Sequence, residues 1–285
     1  MTALLASLAS AVLYGAADFL GGLASRRANT VAIVVISQLA GLIALGLMLP
    51  FLQVSSPERN DWMWGAAAGV SGGIGVALLY RALAIGSMAI VAPITAVCAV
   101  TVPVAAAIAL GERPGAGTVA GIALAISAIV LVSQQQAPEQ DSGPSDSERA
   151  RSAAIALASG VAIGLFFLAL AQTSPGAGMW PLVAARAVSF VLFVAIALVV
   201  RRPLRVPSDV AALAIVGGVL DMLANLLFLV ATRHGPLTVV VTLSSLYPAS
   251  TVLLARTVLG ERLSARQTAG IVCALVAVVL IVGTQ

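Results

Sequence analysis

The chain has 285 residues, 60% hydrophobic and 9% charged, against roughly 25% charged in soluble domains, and that little polar side-chain surface cannot coat a water-soluble globule. Its formal net charge of +4 rests on 15 arginines with no lysine. They are scattered over short loops without interleaved stacking aromatics, a pattern that excludes a nucleic-acid surface.

A helix needs ~20 apolar residues to cross ~30 Å of hydrocarbon. The sequence predicts ten such spans, at 3–23, 31–51, 62–80, 87–110, 117–133, 152–171, 179–200, 209–230, 236–259 and 266–283. Their apolar runs are continuous, whereas barrel strands alternate in segments of about ten, so an all-α integral membrane protein is predicted. The first span lacks a basic leader and has a mid-chain counterpart at 152–171, so it reads as a structural helix and not a cleaved signal. It carries Asp18, with Tyr14 one turn earlier on the same face. Gln38 lies beside Ser37 in the second span. Trp62 and Trp64 in the third span and Trp180 in the seventh read as interfacial anchors, with Trp180, before Pro181, also placed to cover a cavity mouth. Gly72-Gly73-Ile74-Gly75 falls inside a span, so it is no phosphate-cradling loop. Gly65/Gly69/Gly73, Gly117/Gly121 and Gly160/Gly164 are small-residue faces suited to close helix packing. Pro93, Pro103 and Pro248 each remove an amide from a helix interior and permit a kink. Thr95, Ser244, Ser245 and Tyr247 either line a cavity or bond helix backbone. Residues 134–151, rich in Gln, Ser, Pro and acidic groups, read as a disordered linker between five-helix units at 1–133 and 152–285.

The two units are copies at a constant offset of 149 residues. Leu8, Ala9, Ser10, Val12 and Gly15 recur as Leu157, Ala158, Ser159, Val161 and Gly164. Gly69-Val70 maps to Gly218-Val219, Gly86 to Gly235, Gly111-Glu112-Arg113 to Gly260-Glu261-Arg262, and Ala120-Gly121-Ile122 to Ala269-Gly270-Ile271. Consecutive copies of a five-span unit enter the membrane in opposite senses, which predicts a pseudo-two-fold axis in the membrane plane and alternating access to a mid-bilayer site between the halves. Of the basic residues, Arg59, Arg113 and Arg233 fall on the side of the termini and ten fall opposite, so the positive-inside rule puts both termini outside the cytoplasm.

Ten spans in two halves, with Gly-Glu-Arg at each fourth-to-fifth span junction and Gln267-Thr268-Ala269-Gly270 after the second, resemble the EamA family of the drug/metabolite transporter superfamily. Tyr14-Gly15-Ala16-Ala17-Asp18-Phe19 is similar to the aromatic-Gly stretch in that family's first span. The resemblance covers nearly the whole chain. It implies a multi-pass carrier of the cytoplasmic membrane, typically an exporter of amino acids or other small metabolites, and often with cytoplasmic termini.

Glu112 and Glu261 stand near the start of the next helix, where a carboxylate suits the helix dipole and caps free amides; an ion pair there can also act as a gate. Arg256, a few residues from a helix end, reads as a snorkelling side chain. Asp18, Arg186 and Asp221 are the charges deep in the spans, where an unpaired ion costs several kcal/mol. Asp221 and Asn225, four apart, share a face. At the 149 offset, Asp18, Arg186, Asp221 and Asn225 correspond to Phe167, Ser37, Gly72 and Val76, so these polar groups are absent from the repeated scaffold and suit an asymmetric substrate or proton site. The predicted substrate-binding or coupling set is Arg186, Asp221, Asn225, Asp18, Tyr14, Gln38 and Tyr247, with Arg186 facing a substrate anion, or Asp221 when the site is empty. A structural Arg186–Asp221 pair is the competing reading, as is an interfacial role for Asp18. His234 is the single histidine and Cys98 and Cys273 are isolated, so neither a zinc site nor a disulfide framework is assembled and no cofactor is expected. An intramembrane enzyme using Asp18 and Asp221 and a flippase for a lipid-linked head group are the alternatives. The expected partners are a small-molecule substrate, the lipid bilayer and a coupling proton, in a monomer or homodimer.

Overall fold

A computed structural model describes residues 1–51, 56–85, 88–132, 146–201, 204–259 and 265–283. Among these, eleven α-helices and two short 3-10 turns carry the chain, with no strand: α1 (Thr2–Ser25), α2 (Thr30–Met48), α3 (Arg59–Ile85), α4 (Met88–Ala109), α5 (Ala116–Val132), α6 (Asp146–Ala171), α7 (Trp180–Val199), α8 (Ser208–Thr232), α9 (Leu237–Ser244), α10 (Tyr247–Leu259) and α11 (Ala265–Gly283). Local chemistry sets several boundaries. Asn29 accepts the Val31 amide at 2.9 Å to open α2, and Pro181 sits in the first turn of α7, where its missing N–H is not needed.

Six helices, at Thr2–Ser25, Thr30–Phe51, Arg59–Ile85, Ala150–Ala171, Trp180–Val199 and Ser208–Thr232, are long and apolar enough to cross a membrane. Ile94–Ala109, Ala116–Leu131, Leu237–Thr251 and Thr268–Ile281 are shorter apolar helices. Two expectations need correction. The span predicted at 236–259 is two helices, because Pro248 cannot donate to the Ser244 carbonyl and the ladder breaks over Ser245-Leu246. Asp146 to Arg151, expected within a disordered linker, forms the start of α6. The linker's remaining residues 134–145, together with Glu261 and Arg262, lie outside the described residues, as do the side chains of Pro93 and Arg256.

Polarity is arranged inside out. Leu47, Val191, Leu198 and Val279 are exposed, whereas Ser7, Ser10, Gln38, Ser159, Arg186 and Asn225 are buried. Such an apolar exterior is the surface that lipid covers.

The packing obeys a two-fold rule. Exchanging the halves (α1 with α6, α2 with α7, α3 with α8, α4 with α9/α10, α5 with α11) turns the α1–α8 contact into α6–α3, α2–α8 into α7–α3, and α4–α6 into α9/α10–α1, while α5–α11 and α2–α7 map onto themselves. The predicted glycine faces make these contacts. A Cβ on Gly69 would lie 2.4 Å from the Ala185 carbonyl oxygen, and one on its repeat mate Gly218 would lie 2.2 Å from that of Ser37. Gly15 and Gly164 likewise pack on α10 and α4. At Gly69 and Gly218 the nearest neighbours are all backbone and cannot yield as a flexible side chain would.

Gly218→Leu is therefore expected to lower thermal stability by several kcal/mol, more than ordinary overpacking at ~1–3 kcal/mol. Gly46→Leu is the control, since nothing lies within 4 Å of a Cβ there and it should be near neutral. Equal melting temperatures in detergent for the two variants would contradict this packing.

Candidate functional site

Two helix pairs held this closely leave a gap where larger side chains meet. All seven residues of the predicted set (Tyr14, Asp18, Gln38, Arg186, Asp221, Asn225 and Tyr247) line one cavity bounded by α1, α2, α3, α6, α7, α8 and the start of α10. Its volume is ≈ 60 Å³, room for a few water-sized groups at ~10–15 Å³ each.

A continuous hydrogen-bond chain crosses the cavity wall. The Arg186 guanidinium donates through Nη1 to Gln38 Oε1 and through Nη2 to Asp221 Oδ2. Asn225 Nδ2 donates to the Asp221 carbonyl at 2.6 Å and to Asp221 Oδ2 at 3.3 Å. Asn225 Oδ1 then accepts from the Tyr14 hydroxyl at 2.8 Å. The chain joins α2, α7, α8 and α1, so it crosses between the halves twice. Arg186, Gln38 and Asn225 are 6%, 4% and 2% exposed. An arginine buried to that extent is retained only with its charge compensated, and Asp221 compensates it.

Three polar groups at the cavity stand outside this chain. Among the described residues, Asp18 has no hydrogen-bond or ion-pair partner for its carboxylate, and the buried Tyr247 Oη and Ser189 Oγ have no hydrogen-bond partner. The weaker candidates divide. Thr95 Oγ1 donates to the Ala156 carbonyl at 3.2 Å and Ser244 Oγ to the Ser7 carbonyl at 3.4 Å, so both stitch helices together away from the cavity. The Ser245 hydroxyl is buried and unpartnered but does not line the cavity. Trp180 packs on Trp62, ring centroids 5.6 Å apart, and is not among the residues that line this cavity. His234 contacts the Val230 carbonyl at the surface, and no metal-ligating group of side chains occurs among the described residues.

The repeat explains the cavity's composition. Tyr14, Asp18, Asp221 and Asn225 have Ile163, Phe167, Gly72 and Val76 as their mates 149 residues away, and all eight positions line the same cavity. One set of four is polar and its repeat-equivalent set apolar.

Sequence reasoning did not single out a cross-half clasp at the end where α1 begins. Asp61, 2% exposed in the first turn of α3, accepts from the Ser174 amide at 2.6 Å, the Ser174 hydroxyl at 2.9 Å and the Glu58 amide at 2.9 Å. Beside it, Arg233 donates to the Thr173 carbonyl and, at 2.6 Å, to Thr173 Oγ1. Glu112 is a cap, but of α9 in the other half and not of the helix that follows it: its carboxylate takes the Leu237 and Thr238 amides at 2.8 and 3.1 Å. That corrects the expectation for this residue, since α9 opens on Pro236 without a side-chain cap of its own. At the opposite end, Arg27 and Asp209 form a cross-half ion pair at 3.6 Å, with both side chains more than half exposed. Such a pair contributes little.

A duplicated all-helical chain with an apolar exterior and buried polar residues meeting between its halves is a multi-pass membrane protein of transporter type. Residues 1–134 and 150–283 each match the model of the EamA-like transporter family, and the chain belongs to that family, within the drug/metabolite transporter superfamily. No curated protein sequence matches it. A solved structure described only as "Crystal structure of protein" superposes with a TM-score of 0.73 at 16% identity, covering 98% of this chain and 95% of that one. That similarity shows the fold alone.

Removing one partner of the buried pair leaves an uncompensated charge, so Arg186→Ala is expected to cost ~3–5 kcal/mol, whereas the double change Arg186→Met with Asp221→Leu should recover most of it. Thermal unfolding of the three proteins in one detergent checks this. A double variant less stable than Arg186→Ala would show that the pair is not the unit of compensation.

Proposed function

We propose that the chain is a secondary transporter of the cytoplasmic membrane, with ten spans in two inverted five-helix halves, which exports small metabolites such as amino acids or related compounds by alternating access. The observation that carries this reading is the cavity built from repeat-equivalent positions of both halves, polar in one set and apolar in the other. A site on the pseudo-two-fold axis stays at the same depth when the halves exchange conformations, so access changes while the binding groups stay together. The clasp of Asp61, Ser174, Arg233 and Glu112 is then the closed gate of this conformation, and the end marked by Arg27 and Asp209 is the weaker one.

The binding and coupling groups are Arg186, Asp221, Asn225, Asp18, Tyr14, Gln38 and Tyr247. No step of catalysis is assigned to them. The cavity is lined within a single chain, so one copy suffices for a site. A flippase would need its polar groups on a groove open to lipid, and the burial of Arg186, Gln38 and Asn225 among packed helices favours the carrier.

Metabolite profiling of spent medium from overexpressing and deletion strains identifies the exported compound. In proteoliposomes loaded with it, Arg186→Ala is expected to abolish flux while the protein still inserts. An imposed pH gradient is expected to change the rate of native flux. Undiminished flux by Arg186→Ala at equal protein abundance would refute the site, and native flux indifferent to the gradient would make the protein a facilitator.

A further inference from the structure

Charge balance within the cavity narrows the substrate class. Of its three ionisable groups with full charges, Arg186 is compensated by Asp221 and further held by Gln38. Asp18 is left over: among the described residues its carboxyl has no partner. Among the described residues a substrate carboxylate would find no free cation there, whereas a substrate cation would meet the one unpartnered carboxyl.

A second observation points the same way. The Tyr247 hydroxyl, 6% exposed, lines the same cavity as Asp18 and has no hydrogen-bond partner among the described residues. A buried hydroxyl left unsatisfied is destabilising, and a donor entering the cavity relieves that. A protonated amine presents several N–H donors, enough for Asp18 and Tyr247 Oη together. The repeat-equivalent positions supply apolar surface from Ile163, Phe167 and Val76, and the Phe167 ring stands edge-on to Tyr14 at 5.8 Å.

We propose that Asp18 and Tyr247 form the receptor for the protonated amino group of the substrate, and that the substrate is an amine with an apolar body and no carboxylate. This rests on the carrier reading for its biological use, but binding can be tested without transport. Equilibrium dialysis and thermal stabilisation of the purified protein would be measured with isobutylamine, with valine, which is the same skeleton plus a carboxylate, and with isobutanol, its uncharged counterpart. Isobutylamine is expected to bind at least about tenfold more tightly than the other two, and Asp18→Asn to weaken it at least about tenfold, the effect of one charged hydrogen bond. Tyr247→Phe should weaken it several-fold, and Asp18→Glu should retain most of the binding. The ligand-free melting transition of each variant reports folding; should Asp18→Asn not fold, Tyr247→Phe decides.

Valine binding as tightly as isobutylamine, isobutylamine binding unchanged by Asp18→Asn or, in its place, by Tyr247→Phe, or no binding of isobutylamine would each overturn the proposal. Binding without flux across proteoliposomes would keep this site and contradict the carrier. Flux unaffected by Asp18→Asn would keep the carrier and contradict this site.

Discussion

An arginine in the middle of a membrane protein has to be neutralised, and the way Arg186 is neutralised organises the centre of this molecule. Its partners come from α2 and α8, and Asn225 extends the chain to the Tyr14 hydroxyl on α1. An isolated charge at this depth costs several kcal/mol even after snorkelling and water penetration. Four helices from both halves are therefore held in the one arrangement that keeps the chain complete. The close glycine contacts serve the same end, because Gly218 lets α2 approach α8 until Gln38 reaches the guanidinium, and Gly41 lies against that group at 3.5 Å from a built Cβ.

Duplication accounts for the frame and divergence for the chemistry. Glycines such as Gly15 with Gly164 and Gly69 with Gly218 keep their packing role in both copies. At the cavity the two copies part: Asp18 has Phe167 as its mate, and Asp221 has Gly72. On the proposed alternating-access reading, a symmetric frame gives two equivalent ways of closing, while the asymmetric lining presents one orientation to a ligand. The break at Pro248 belongs to this divergence too. Its α4 counterpart runs unbroken, whereas α9 is a buried eight-residue helix capped by Glu112 at one end and followed by Tyr247 at the cavity.

Much of this was legible in the sequence because lipid makes few arrangements possible. Continuous apolar runs located the helices, and the 149-residue offset separated scaffold from chemistry, leaving Asp18, Arg186, Asp221 and Asn225 as the one-sided polar groups that converge on the cavity. What stayed hidden depends on which loop lies beside which. Asp61 reads as an ordinary first-turn carboxylate until Ser174, 113 residues away, is placed against it. Glu112 was recognisable as a cap, yet its target, 125 residues on, follows from the packing of α9 and not from local spacing. Pro248 was a visible kink signal, but whether a proline bends or breaks a helix depends on its packing; α4 continues through Pro103 and the ninth segment divides.

The central claim is that the two halves open alternately around this cavity, and inter-spin distance measurement in lipid tests it most directly. One label pair replaces Arg113 and His234 at the clasped end; the other replaces Arg27 and Asp209 at the opposite end, in a background without Cys98 and Cys273. Two populations are expected, with a long distance at one end accompanying a short distance at the other, and Asp61→Asn should shift the balance toward opening at the clasped end. A single fixed distance at both ends, unmoved by Asp61→Asn, would contradict alternating access.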